Sequence, residues 1–248
     1  MKMRHKWTLA FLTGFLWTAA SAPGAEAAVI PGINLPDDPQ SVSDSLTIIL
    51  LITVLSLAPG ILVMMTSFTR IVIVLGFVRT ALATNQMPPN QVIIGLSLFL
   101  TLFVMSPTIG EINEQAVQPY MNGEITQVEA LSRAAVPMKE FMAKHTREED
   151  LLLFLEYTGD EKPENVQDIP LTALIPAFAI SELKTAFQMG FMIFIPFLII
   201  DMIVSSVLMS MGMLMLPPVM ISLPFKILLF ILVDGWHLVV QSLLASFA

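Results

Sequence analysis

The chain has no cysteine. That excludes a disulfide framework, a thiolate metal site and a cysteine nucleophile. Charge is scarce as well: 13% of the 248 residues are Asp, Glu, Lys or Arg, where soluble domains carry roughly 25%. The catalytic signatures HExxH, GxSxG, GxxxxGK[ST] and GxGxxG are missing, so an enzyme is not expected, nor any cofactor or metal. No basic cluster with interleaved aromatics suggests a nucleic-acid surface. Histidine occurs three times, at His5, His145 and His237. Asp234 and His237 have the spacing of one helix face, which suits a metal or proton relay. A histidine satisfied by a helical neighbour is the plainer reading.

What the chain has is apolar length. It is 55% hydrophobic with a mean hydropathy of +0.78, the composition of an integral membrane protein. The opening reads as a cleavable secretory signal over 1–27. Lys2, Arg4 and Lys6 precede an apolar stretch from Trp7 to Ala20, and Ala25-Glu26-Ala27 offers a small-x-small cleavage site. Residues 28–45 form a Pro/Asp/Ser-rich leader, read as irregular. The first long apolar run is Leu46 to Met65, with a break expected at Pro59-Gly60. A helix from about Ile61 to Leu82 carries Arg70 and Arg79. "TNQMPPNQ" is a turn, and Val92 to Ile109 the next apolar helix. Together, 46–110 make a first hairpin region.

The character then changes. Residues 111–168 hold 13 acidic residues and 5 Lys/Arg, a balance of −8 that matches the whole chain's formal charge. Such a segment builds a small helical subdomain that leans on partners. Thr126-Gln127-Val128-Glu129 and Thr146-Arg147-Glu148-Glu149 both fit the capping-box pattern, and Gly159 suits a helix C-terminus. Two helices are expected, near 126–136 and 147–158, with a shorter stretch over 138–145 between them. Leu151 to Leu155 is a run of five large apolar residues, and Phe141 adds another. A subdomain this small leaves some of them for an interface, or for packing on the membrane helices.

Apolar character returns over 170–248 as a second hairpin region, with a Pro-Pro turn like the first ("QMPPN", "MLPPV") and a last helix over Val219–Leu244. Pro176 and Pro196 predict kinks. The fold class is all-α membrane protein: kinked helical hairpins with a small acidic helical insert. Arg70 and Arg79, with no acid over 66–90, place that connection in the cytoplasm and the insert outside.

Asp201, Lys226 and Asp234 sit inside apolar runs, with Glu182 and Lys184 at the start of one. A charge facing lipid at mid-bilayer costs at least ~2.5–3.5 kcal/mol. Counted as helix up to Pro217, Asp201 lies about 24 Å from the turn and Lys226 about 12 Å. That offset exceeds a lysine's reach and favours partners on other chains. In "MSMGMLMLPP", Met209, Met211, Met213 and Met215 alternate. In an extended segment all four would face one way. Gly212 lets the backbone leave helical geometry, and Pro217-Pro218 stops the helix from continuing. A row of thioethers is soft and uncharged, fit for an apolar constriction. The same row also suits Cu(I), so a copper or other small-solute transporter is the rival reading.

Three blocks resemble one family. "MTSFTRIVIVLGFVRTALATNQMPPNQVIIGLSLFLTLFVMSP", "PAFAISELKTAFQMGF" and "PFLIIDMIVSSVLMSMGMLMLPP" are similar to the core of the FliP/SctR family of type III export-gate proteins, and the leading signal points to the flagellar branch. The resemblance implies a homo-oligomer, a pentamer, joined by FliQ- and FliR-type subunits and near FlhB- and FlhA-type export proteins. It implies passage of unfolded flagellar substrates across the inner membrane, with the insert on the periplasmic side. It assigns Met209, Met211, Met213 and Met215 to a gasket around the pore, and Phe141, Phe154, Glu182, Asp201 and Lys226 to contacts between subunits.

Overall fold

The computed structural model describes residues 39–84, 86–159, 163, 165–213 and 215–248. The signal and most of the leader lie outside the described residues. Among those described there is no strand; the chain is helix joined by short turns. Packing divides it into two compact units, one ending at Leu57 and one spanning Ala58–Ala248.

The described part of the first unit is helix throughout. Helix α1 (Pro39–Met65) starts inside the stretch read as irregular leader, with Pro39 at its first position, where a missing N–H costs nothing. Along it Thr53 donates back to the Ile49 carbonyl and Ser56 to that of Thr53.

The second unit carries the site. Here α1 runs through Pro59, contrary to the expected break. An interior proline forfeits its own backbone bond and crowds the carbonyl four residues back, which bends a helix without always ending it. The break comes at Thr66-Ser67, where a hydroxyl offers the backbone another partner: Thr66 Oγ1 accepts from the Phe68 amide at 3.3 Å and donates to the Leu62 carbonyl. The axis turns there by 65° into α2 (Phe68–Ala81). After the Pro88-Pro89 turn comes α3 (Asn90–Ile112), continued by a π turn over Asn113–Val117 and a short α4 (Gln118–Met121).

The insert forms two helices, α5 (Gln127–His145) and α6 (Glu148–Thr158). The expected division at Pro137 does not occur; α5 is continuous through it. Of the two capping boxes, Thr126 accepts from the Glu129 amide at 3.3 Å as predicted. The second fails. The N-cap is Arg147, and Thr146 donates instead to the Met142 carbonyl at 2.7 Å. Gly159 closes α6 in the left-handed region (φ 75°) as expected.

A 40-residue helix follows, α7 (Leu171–Ser210), about 60 Å long by its rise. It is the spine on which α2, α5 and α6 all pack. Helix α8 (Pro218–Leu232) folds back along it, and α9 (Gly235–Ala245) turns away by 63° at Val233-Asp234. The single last helix expected over Val219–Leu244 is thus two. Asp234 sits exposed in the break as the N-cap of α9, so it and His237 do not lie on one continuous helix face.

Helices Asn90–Met121 and Leu171–Ser210 are long and apolar enough to cross a membrane, and two bent pairs, Leu55–Met65 with α2 and α8 with α9, each qualify when taken as one span. Two apolar clusters hold the unit. One gathers Ile71, Val74, Leu75 and Val78 of α2 with Phe197, Phe230 and Leu243. The other joins Met142 of the insert to Leu174 and Phe178 of α7. Helix α2 runs parallel to α7: Arg70 meets Glu182, and Phe77 meets Phe187 edge-on at 5.3 Å. The approach depends on Gly190, where a Cβ would stand 2.4 Å from Cδ2 of Phe77.

Candidate functional site

The methionine segment sits at the tip of the α7–α8 hairpin. It is not the extended row that alternation predicted. Met209 belongs to the last turn of α7, and the helix ends at Ser210 with Met211 as C-cap. Gly212 follows at φ 73°. Its amide bonds the Met209 carbonyl at 3.0 Å, and the Met213 amide bonds that of Leu208 at 3.0 Å. This is a Schellman closure. It needs a left-handed residue at Gly212, and it sets half-buried Met213 toward buried Leu208. The other three are left out of the fold: Met209 is 57% exposed, Met211 64% and Met215 98%. The result is a tight apolar knuckle presenting three free thioethers.

Behind the knuckle lies an ion pair. Lys226 Nζ donates to Asp201 Oδ2 at 2.6 Å, and the Ser222 hydroxyl to Asp201 Oδ1. Lys226 also donates to the Ala81 carbonyl at 3.3 Å, in the last turn of α2. Asp201 and Lys226 therefore pair within the hairpin, contrary to the expectation of partners on other chains, because α7 stops at Ser210 and does not run on to Pro217. Asp201 is nine residues from that end and Lys226 eight beyond Pro218, so both stand about 12–14 Å from the knuckle. The non-helical loop removes the offset.

Near the insert a second pair is buried. Arg70 Nε donates to Glu182 Oε2 at 2.9 Å and Nη2 to Oε1, while Nη1 bonds the carbonyl of Ser246 at 2.8 Å and its hydroxyl at 2.9 Å. Arg70 is 3% exposed and Glu182 0%. Arg70 is thus neutralised inside the protein, and the positive-charge cue for orientation falls to Arg79, which bonds Asn90 Oδ1 and the Pro88 carbonyl.

One residue along α7, Ser181 ties down the insert. It accepts from the Arg147 amide at 3.0 Å and donates to Asp150 Oδ2 at 2.6 Å; Arg147 also pairs with Asp150. Burial pushes the Asp150 carboxyl up, but the Ser181 hydroxyl and the Arg147 guanidinium hold it below its ordinary value. Phe141 packs on Phe178, His145 and Phe247, and Phe154 is half-buried on α6. Leu153 and Tyr157, four apart on α6, point outward at 57% and 91% exposure. The sequence reading passed over Tyr157 for its aromatic neighbour.

The pKa of His145 falls from 6.5 to about 4, through burial first and then Arg70 and Lys144. The folded state thus prefers the neutral ring. The unfolded chain binds the extra proton below 6.5, so stability is full above that pH and declines as pH falls toward about 4. We expect a loss on the order of 1 kcal/mol between pH 7 and 5, the ring being partly solvent-screened. A melting series should show it, and His145→Gln should flatten the slope.

The FliP family model matches residues 51–243. The flagellar biosynthetic protein FliP of Bacillus subtilis (strain 168) is 68% identical over 210 residues, covering 85% of this chain and 95% of its own. That of Aquifex aeolicus (strain VF5) is 52% identical over 220 residues, 88% of this chain and 92% of its own. That of Borreliella burgdorferi is 48% identical over 211 residues, 84% and 83%. The match takes in α2, the spine, both buried ion pairs and the methionine knuckle: the chain belongs to the FliP family.

Proposed function

We propose that the chain is a non-enzymatic subunit of the flagellar type III protein export gate. Several copies, with FliQ- and FliR-type subunits, enclose the conduit through which unfolded flagellar proteins leave across the inner membrane. FlhB- and FlhA-type export proteins are its further partners. The observation that carries this reading is the knuckle: three exposed methionines at the end of a hairpin braced by the Asp201–Lys226 ion pair. A seal must exclude ions and yet yield to any passing sequence. Thioethers deform and carry no charge to trap a peptide, and a ring of them resists wetting.

The rest of the surface supports a shared structure. Outward residues of α7, among them Phe187, Phe191, Met192 and Ile199, are more than half exposed in the isolated chain. Apolar area of that extent is covered by lipid or by subunits. Glu182, Asp201, Lys226 and Phe141 already have partners within the chain. In this reading they shape the subunit contacts, while Phe154 with Leu153 and Tyr157 meets the neighbouring insert on the periplasmic side.

Purification in mild detergent, with mass measurement and identification of co-purifying chains, tests the proposal. A closed oligomer holding FliQ- and FliR-type subunits is expected. A monomer that transports a small solute alone would overturn it.

A further inference from the structure

Helix α9 has the build of a lever. One face is buried, at Gly235, Val239 and Leu243, and the spacing of four continues to Phe247 in the turn beyond. The opposite side is open, with His237 and Gln241 exposed. At one end is a hinge. Asp234 holds the left-handed region at φ 50°, a conformation that few residues other than glycine adopt. Next to it, a Cβ on Gly235 would stand 2.3 Å from the Phe230 ring, so the bend is tightly packed.

At the other end is a catch. The Arg70 guanidinium lies 3.9 Å over the Phe247 ring. His145 meets that ring edge-on at 5.3 Å, and Phe141 stacks on it at 6.5 Å. Ser246 takes both bonds from Arg70 Nη1. Three elements thus converge on two residues: α2 through Arg70, α7 through Glu182 bonded to the same guanidinium, and α5 through Phe141 and His145. The ring covers an ion pair that would otherwise face the foot of the insert.

We propose that α9 with Ser246 and Phe247 is a strap that closes over the Arg70–Glu182 pair and clamps insert helix α5 to the spine. When the catch is open, α5 loses the ring that Phe141 and His145 pack on, and the foot of the insert moves independently of α2 and α7. The strap needs no second subunit, so it acts in the single chain and stands whether or not the gate reading holds.

The test is amide hydrogen exchange on the full chain in detergent. Phe247→Ala removes the catch, Phe247→Leu keeps apolar bulk and hence folding, and Phe247→Tyr keeps the ring. Exchange over 138–146 should rise about tenfold in Phe247→Ala and about threefold in Phe247→Leu, and stay near wild type in Phe247→Tyr. Residues 202–210, at the knuckle end of α7, should not change in any of them. Wild-type exchange over 138–146 in both the Ala and Leu variants would overturn the strap. So would a rise of equal size in 202–210, which would make the effect global.

Discussion

Glu182→Ala should destabilise the protein by about 3–5 kcal/mol, the range for removing one partner of a buried ion pair. The mechanism is the charge left behind. Arg70 is 3% exposed and does not neutralise in a protein. After the substitution it keeps only the Ser246 bonds and the Phe247 ring. Most of the cost is therefore a stranded cation and not a lost attraction. It follows that an apolar replacement of both partners, Arg70→Met with Glu182→Leu, should recover most of the loss, because two well-packed side chains avoid the desolvation of both ions. Thermal melting of the purified protomer compares the three. If Glu182→Ala melts with wild type, Arg70 reaches water or another acid, and the pair does not hold α2 to the spine.

The second large effect is at the knuckle's anchor. Lys226→Glu sets a second carboxylate beside Asp201, whose present partners are Lys226 and the Ser222 hydroxyl. Two carboxylates in one buried site cannot both ionise. We expect a loss of about 3 kcal/mol or more in the protomer itself. Charge reversal separates this from a contact between subunits. Asp201→Lys with Lys226→Glu should restore folding if the pair is internal. It should not restore it fully, since the reversed lysine no longer bonds the Ala81 carbonyl. If Lys226→Glu leaves protomer stability intact and blocks only association with a partner, the lysine turns outward in the assembled state.

Local signals were legible in the sequence. Thr126 with Glu129 predicted a helix start, Gly159 a helix end, and the two Pro-Pro pairs the two hairpin turns. Each is decided by residues within a turn of one another. The misses have a common cause, which is geometry beyond that range. Proline at 59 and 137 reads as a breaker, yet both helices run through it, and Pro137 is buried where its helix packs. Arg70 and Glu182 are 112 positions apart, so nothing local couples them. Alternating methionines read as a strand, yet the Schellman closure at Gly212 breaks the alternation after one helical and one capping methionine. The same closure hid the Asp201–Lys226 pair, because where α7 ends sets which residues stand level. The run of methionines was legible in the sequence; its arrangement needed the helix end.

The central claim is that the exposed methionines close a conduit. Its direct measurement is ion conductance of the assembled gate with Met209, Met211 and Met215 all replaced by Ala. The variant should conduct ions at rest, several-fold above wild type, while export of substrate persists. A resting conductance indistinguishable from wild type would mean that the knuckle seals nothing.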